Sequence, residues 1–300
     1  MQERPTVIVG IAAYNEENNI GQLLSALITQ PEVDHIVVVS SSTDNTNSIV
    51  AGYASRRAPT VTLVVESERR GKSSACNTII DEAQKGHFDF IVFVGGDNLP
   101  ADGSIGALLD GFDDGKIRIV GGRPVPVDDP KTFLGWTSHL QWNMHHFISK
   151  DFYPKISGEL MAFRAGVIKE IPIAVVNDDA YMQLTAQAKG YEARYCPSAT
   201  VKLKGCSSVK DLVMQRRRVY LGHLQALFLS GVKVSTFKWR LYHRILREAL
   251  PSFGLKETFY LIGAVALQSW AYLLSLKDFY LFRIPSKWEM VQTTKERIGE

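Results

Sequence analysis

The chain is short of cysteine, of net charge and of repetition, and each shortage excludes something. Its three cysteines, Cys76, Cys196 and Cys206, are far apart and odd in number. They form no C-x-x-C metal spacing and no disulfide framework, so a reducing, cytosolic compartment is expected. The 34 basic and 31 acidic residues leave a net charge of only +3, too balanced to point to nucleic acid. No apolar leader precedes the first strand: M-Q-E-R-P-T runs straight into it, so secretion is not expected. There is no internal repeat and no low-complexity segment. A phosphate-cradling P-loop is missing too. Gly71-Lys72-Ser73 has its ending, but the required glycine five positions earlier is Glu66.

What is present is an alternation of buried strands and helices. Residues 6–13, 36–39, 61–65 and 90–94 are short β-branched or aromatic runs, as expected of strands buried on both faces. Between them lie helical patterns, such as Ile20, Leu23, Leu24, Leu27 and Ile28. Strands alternating with helices predict a mostly parallel α/β sheet covered by helices on both faces. Residues 117–122 read as a further strand. Residues 133–147 read as a helix whose His139, His145 and His146 are packing or surface residues rather than a metal site.

The run F-I-V-F-V-G-G-D-N-L-P (90–100) organises the rest. A buried strand stops at two glycines, where backbone and ligand can approach closely. It then presents Asp97 and Asn98 at its carboxyl end, where open α/β sheets bind ligands. Polar groups also end the first strand, at Tyr14-Asn15-Glu16-Glu17, and the second, at Ser40-Ser41-Ser42-Thr43-Asp44. Lys72 begins a helix and suits either an anion or solvent. Asp178-Asp179 open another helix: they complement its dipole, and two carboxylates so close can also leave one as a general base. Gln215-Arg216-Arg217-Arg218 lies on an amphipathic helix (210–230), either as a solvated face or as a diphosphate clamp.

In order, A-Y-N-E-E, S-T-D-N-T, R-G-K-S-S-A-C-N, G-G-D-N-L-P, S-G-E-L-M-A-F-R, D-D-A-Y-M and Q-R-R-R-V-Y resemble the family 2 glycosyltransferases, inverting enzymes with a GT-A fold, over residues 6–222. The resemblance implies that Ala13, Tyr14, Asn15, Glu16 and Ser40 hold the nucleotide of a sugar donor, with Lys72, Asn77, Gly96 and Asn98 around it. Asp97 stands at the last carboxylate of the D-x-D motif and is implied to bind Mg²⁺ or Mn²⁺. Asp179, beside Asp178, is the implied base, Gln215 and Arg218 match the Q-x-x-R motif near the diphosphate, and Ser157, Gly158 and Glu159 face the acceptor. Three positions depart from the pattern. Ser40 stands where an acidic residue often reads the base, Gly95 replaces the first aspartate of D-x-D, and Val219 replaces the aromatic after Q-x-x-R. The last departure favours transfer of a single sugar over processive synthesis. A nucleotidyltransferase, which needs a basic loop after the first strand, and a non-catalytic nucleotide-sugar-binding module are the competing readings.

Residues 1–222 are assigned to the glycosyltransferase domain and 223–300 to a C-terminal helical region. Residues 258–276 are 19 residues without a charge, near the minimum for a span. Basic residues flank both sides equally and give no orientation. Residues 237–250 mix Arg, His and Lys with Trp, Leu and Tyr, as a helix on anionic lipid does. The expectation is attachment to the cytoplasmic face of a membrane (peripheral, re-entrant or single-span), with a hydroxyl or lipid-phosphate acceptor, on a lipid-linked or polysaccharide molecule, in cell-envelope or glycolipid synthesis. Residues 287–295 are expected to fold back towards the site.

Overall fold

A computed structural model describes residues 4–57, 61–230, 253–285, 288 and 291–299. The basic segment 237–250 and Lys287 lie outside the described residues. The elements run β1 (Val7–Ala13), α1 (Ile20–Ile28), β2 (His35–Ser40), α2 (Thr46–Arg57), β3 (Val61–Val65), α3 (Lys72–Lys85), β4 (Phe90–Val94), β5 (Asn98–Pro100), α4 (Ser104–Asp110), β6 (Ile117–Pro126), α5 (Phe133–Asp151), β7 (Leu160–Arg164), α6 (Asp178–Ala188), β8 (Glu192–Leu203), α7 (Val209–Ser230) and α8 (Leu255–Tyr280). A 3₁₀ turn, Gln292–Lys295, follows.

One eight-stranded sheet has the order β3-β2-β1-β4-β7-β6-β8-β5. Its first half is parallel throughout: β2 pairs with β3, and β1 with both β2 and β4. β7 then enters antiparallel between β4 and β6, β8 runs parallel to β6, and β5 caps the edge antiparallel to β8. The sheet is therefore mixed, with the parallel expectation met in its amino-terminal half.

Alternate residues of β1 feed two cores. Val7, Val9 and Ile11 pack with Leu23, Leu24 and Leu27 of α1, while Ile8 packs on the other face with Ile79 and Ile80 of α3. Burial on both faces is why these strands read as unbroken apolar runs. A β-carbon on Gly10 would lie 2.2 Å from Ile79 Cγ2, so the glycine lets α3 settle directly on β1. With both faces covered, the open end of the sheet is the carboxyl edge of β1, β2, β3 and β4.

Helix α8 packs on α7 and α5. Arg217 grips the buried Asp278, its Nη2 at 2.7 Å from Oδ1. Tyr220 Oη donates to Gln268 Oε1 at 2.7 Å, and Phe133 meets Tyr260 edge to face at 5.4 Å. The outer face of α8 is apolar and bare, with Phe259 71% and Trp270 56% exposed. By length and composition it is long and apolar enough to cross a membrane.

Candidate active site

The loops at the carboxyl ends of β1, β3 and β4 line one cavity with the start of α6, one face of α7 and the chain's last residues. It measures about 1140 Å³. The donor end is set by β1 and β4. Gly96 lets the two loops touch, because a β-carbon there would sit 2.9 Å from Glu16 Cγ. Glu16 and Asp97 thereby become neighbours.

A single cation bridges them. The Lys295 ammonium contacts Glu16 Oε1 and lies 3.1 Å from Asp97 Oδ2. The expected return of the C-terminal segment is thus seen in the structure. Asn18 and Asn19 donate to the Lys295 carbonyl at 3.2 and 3.1 Å. Thr293 Oγ1 donates to Asp211 at 2.7 Å, and Arg69, stacked 4.0 Å over the Tyr14 ring, donates to the Trp288 carbonyl at 2.7 Å. Burial, then the Asp97 charge, pushes the Glu16 carboxyl up to about 8, with Lys295 pulling it partly back. Burial acts to raise Asp97 too, but there Lys295 outweighs it and the group is held below the ordinary aspartate range.

Gly95, in place of the first aspartate of D-x-D, has a physical reason. A β-carbon on it would lie 2.3 Å from Asn98 Nδ2. The Asn98 side chain fills that space and donates to Glu159 Oε2 at 2.6 Å and to the Glu159 carbonyl at 3.1 Å. Among the described residues no three His, Cys, Asp or Glu side chains group as a metal centre. Glu16 and Asp97 nevertheless fit a hard cation. They are adjacent oxygen donors already sharing one positive charge, and Glu16 Oε2 is buried without a hydrogen-bond partner among the described residues. A divalent cation held by one or two carboxylates and substrate phosphates needs no more from the protein.

The second pair of carboxylates sits at the start of α6. Asp178 is buried and ion-pairs with Lys72 at 3.0 Å. Asp179 accepts from the backbone N–H groups of Gly158 at 3.0 Å and Ala180 at 2.7 Å. Burial first, then the Asp178 charge, raises the Asp179 pKa. Glu159 is raised for a like reason, by burial and then Asp97.

The cavity lining includes Ala13, Tyr14, Glu16, Lys72, Gly96, Asp97, Asn98, Ser157, Gly158, Glu159, Asp178, Asp179, Gln215 and Arg218. Three anticipated residues stand behind it. Asn15, at φ 55°, accepts from Thr43 N at 2.9 Å and so pins the β1 loop to the β2 loop. Ser40 is fully buried and donates to Ser42 Oγ, leaving Ser41 at the surface of the cavity. Asn77 clasps Ile171 through both its amide groups, at 2.8 and 2.7 Å. Sequence reasoning singled out neither Arg69, Lys155 nor His223 for the site, yet all three line it. Arg216 was visible only as one of three adjacent arginines. Helical geometry separates them: Arg216 and Arg218 face the cavity, while Arg217 turns away to Asp278.

The fold is that of GT-A-type glycosyltransferases. The family model described as glycosyl transferase family 2 matches residues 8–191, and the chain belongs to that family. It is 28% identical over 216 residues to a probable glycosyltransferase, YdaM, of Bacillus subtilis (strain 168), covering 66% of this chain and 50% of that protein. The chain thus spans about half the length of that curated relative. Among solved structures it resembles the mannosyltransferase PcManGT from Pyrobaculum calidifontis in complex with GDP-Man and Mn²⁺, at TM-score 0.66 and 22% identity, covering 94% of this chain and 89% of that one. It also resembles glucosyl-3-phosphoglycerate synthase from Mycobacterium tuberculosis, at TM-score 0.52 and 16% identity, covering 77% and 82%. At these identities the two structures speak for the fold.

Proposed function

We propose that the protein transfers a single sugar, a hexose by the family's pattern, from a nucleotide-activated donor to an acceptor hydroxyl, with inversion and with Mg²⁺ or Mn²⁺. The observation that supports this best is the contrast between two carboxylates lining one cavity. Asp97 is held ionised beside a cation, and Asp179 is pushed towards the protonated range by burial and by Asp178. Titratable groups driven apart in this way mark out separate chemical roles.

In this reading Tyr14 with Arg69, the Ser41 turn and the Gly71–Lys72 helix start receive the nucleotide. Glu16 and Asp97 would hold the metal, which when bound would offset the charge of the leaving diphosphate. Arg218, exposed at the edge of the cavity, adds a positive charge whose planar guanidinium suits the oxygens of the leaving diphosphate. The acceptor hydroxyl lies against Asp179, which takes its proton as the new bond to the anomeric carbon forms. The N–H groups of Gly158 and Ala180 hold that carboxylate in place. Single displacement from the face opposite the leaving group inverts the sugar. The bare apolar face of α8 supports attachment to a membrane (peripheral, re-entrant or single-span); the side proposed is the cytoplasmic one, where a lipid-linked acceptor would be met, and a polysaccharide acceptor is the other class proposed. GDP-Man and Mn²⁺ belong to the Pyrobaculum structure, and the donor here is proposed only as a nucleotide sugar.

The test is a transfer assay with nucleotide sugars on Asp97→Ala and Asp179→Asn. Both variants should lose transfer, and donor binding should weaken mainly in the first. Turnover of wild-type order in either removes that residue from the mechanism. Donor binding without turnover on any acceptor by the wild-type protein favours a binding module instead.

A further inference from the structure

The acceptor half of the cavity has more positive charge than the residues around it balance. Lys155 lies on the loop between α5 and β7. That loop is latched to α6: Gln183 accepts from Ile156 N at 3.1 Å and donates to the Pro154 carbonyl at 2.7 Å. Lys155 lines the cavity, and among the described residues its ammonium has no hydrogen-bonded or ion-paired partner. Burial, then the neighbouring Arg216 charge, lowers its pKa to about 8. Arg216 and His223, two turns apart on α7, line the same wall. Arg216 stacks 4.9 Å over the Tyr220 ring and spends its Nε on Gln268 at 2.8 Å, which leaves its terminal nitrogens for the cavity.

Among the described residues the carboxylate that acts on Lys155 is Asp179, while Asp178 is already taken by Lys72. Lys155 and Arg216 are half-buried; withdrawing cations from water without enough counter-charge is costly, and a bound anion would supply it. An ammonium and a planar guanidinium approaching from different elements suit the several oxygens of a phosphate.

We propose that Lys155 and Arg216, with His223 beside them, form a subsite for a phosphate group carried by the acceptor. The apolar side chains further along the cavity, among them Leu134, Met144 and Leu261, receive the acceptor's apolar part. This rests on the proposed function in one respect, that Asp179 marks the acceptor side.

Calorimetric titration of the full chain tests it, with three probes: inorganic phosphate, glycerol 3-phosphate, and phosphatidylcholine vesicles with or without a prenyl monophosphate. At least one phosphate probe should bind. Lys155→Gln and Arg216→Gln should each weaken binding by about tenfold or more, the usual range for a hydrogen bond to a charged group. Lys155→Arg should retain it, and Lys85→Gln, on the outer surface of α3, should leave it unchanged. Binding of the vesicle probe alone identifies a lipid headgroup, and binding of the soluble probes identifies a free phosphate compound; either supports the subsite. The proposal is overturned if no probe binds, if Lys155→Gln binds as the wild type does, or if a saturating nucleoside diphosphate displaces the probe, which would give the cluster to the donor. A wild-type protein that binds nucleotide but none of the phosphate probes speaks against this subsite alone. Phosphate binding in a protein that takes no nucleotide speaks against the donor reading alone.

Discussion

Replacing Lys295 by Met keeps roughly the length of the side chain and removes the cation that bridges Glu16 and Asp97. Stripping one partner from a buried ion pair costs about 3–5 kcal/mol when the other charge is left stranded. Here the cost is smaller for two reasons. Asp97 is partly open to water, with 24% of its side chain exposed, and Glu16, raised to about 8, escapes repulsion by keeping its proton. A loss of about 1–2 kcal/mol remains after that screening. At about 2–4 °C per kcal/mol for a chain of somewhat smaller size, the melting temperature at pH 7 should fall by about 2–8 °C. The gap should widen as pH rises through about 8, since Glu16 then ionises beside Lys295 in the wild type, whereas in the variant no ammonium pulls its pKa down and it ionises only at higher pH. Mn²⁺ should raise the melting temperature of the variant more than that of the wild type, because it no longer competes with the ammonium for the same oxygens and a ligand bound only to the folded state stabilises by mass action. Scanning calorimetry with and without Mn²⁺ at pH 7 and pH 9 reads all three effects. Equal melting temperatures, or an equal response to Mn²⁺ in the two proteins, would refute the view that Lys295 holds a cation's place.

Restoring the first D-x-D acid should harm rather than help. Gly95→Asp drives a β-carbon into Asn98, and a loss of stability of about 1–3 kcal/mol, read by urea denaturation, is expected; the double change with Asn98→Gly should recover part of it. The pH dependence of stability follows from the signs. Glu16, with its folded pKa raised, contributes stability that is full below about 4.5, the ordinary glutamate value, and is lost as pH rises through about 8. His145 and His223, held well below the usual histidine range chiefly by burial, contribute stability that is lost as pH falls below about 6.5, where the unfolded chain takes up their protons. Melting temperatures of the ligand-free protein should therefore fall towards both acid and alkaline pH. Asp278→Asn leaves Arg217 without its charged partner and should loosen α8 from α7, visible as faster amide exchange along residues 255–280 than in the wild type.

The amino-terminal half of the fold was legible because its strands are buried on both faces. Residues 7–13, 35–40 and 90–94 then carry an apolar signal with little competition, and polar residues collect at their carboxyl ends. β8 gave no such signal. Its residues alternate between exposed and buried, and Pro197 interrupts it beside a register shift against β6. β5 is three residues long and, among the described strands, pairs with β8 alone. In the site, the motif residues at strand ends were readable one by one. Lys155 and Lys295 were not, since a single lysine far along the chain carries no periodicity or spacing that marks it. Lys295 reaches Glu16 across 279 positions only because Asn18, Asn19, Asp211 and Arg69 hold the returning segment. The readable part of that return was the polar and aromatic stretch after the apolar run.

The central claim is that the Glu16–Asp97 end of the cavity takes a nucleotide-activated sugar. It is tested most directly by the thermal stability of the wild type and Asp97→Ala against a panel of nucleoside diphosphates and nucleotide sugars, with and without Mn²⁺. The account predicts a metal-dependent rise for one nucleotide in the wild type and a much smaller one in Asp97→Ala. A folded wild-type protein that responds to none of them, or a variant that responds equally, would contradict it.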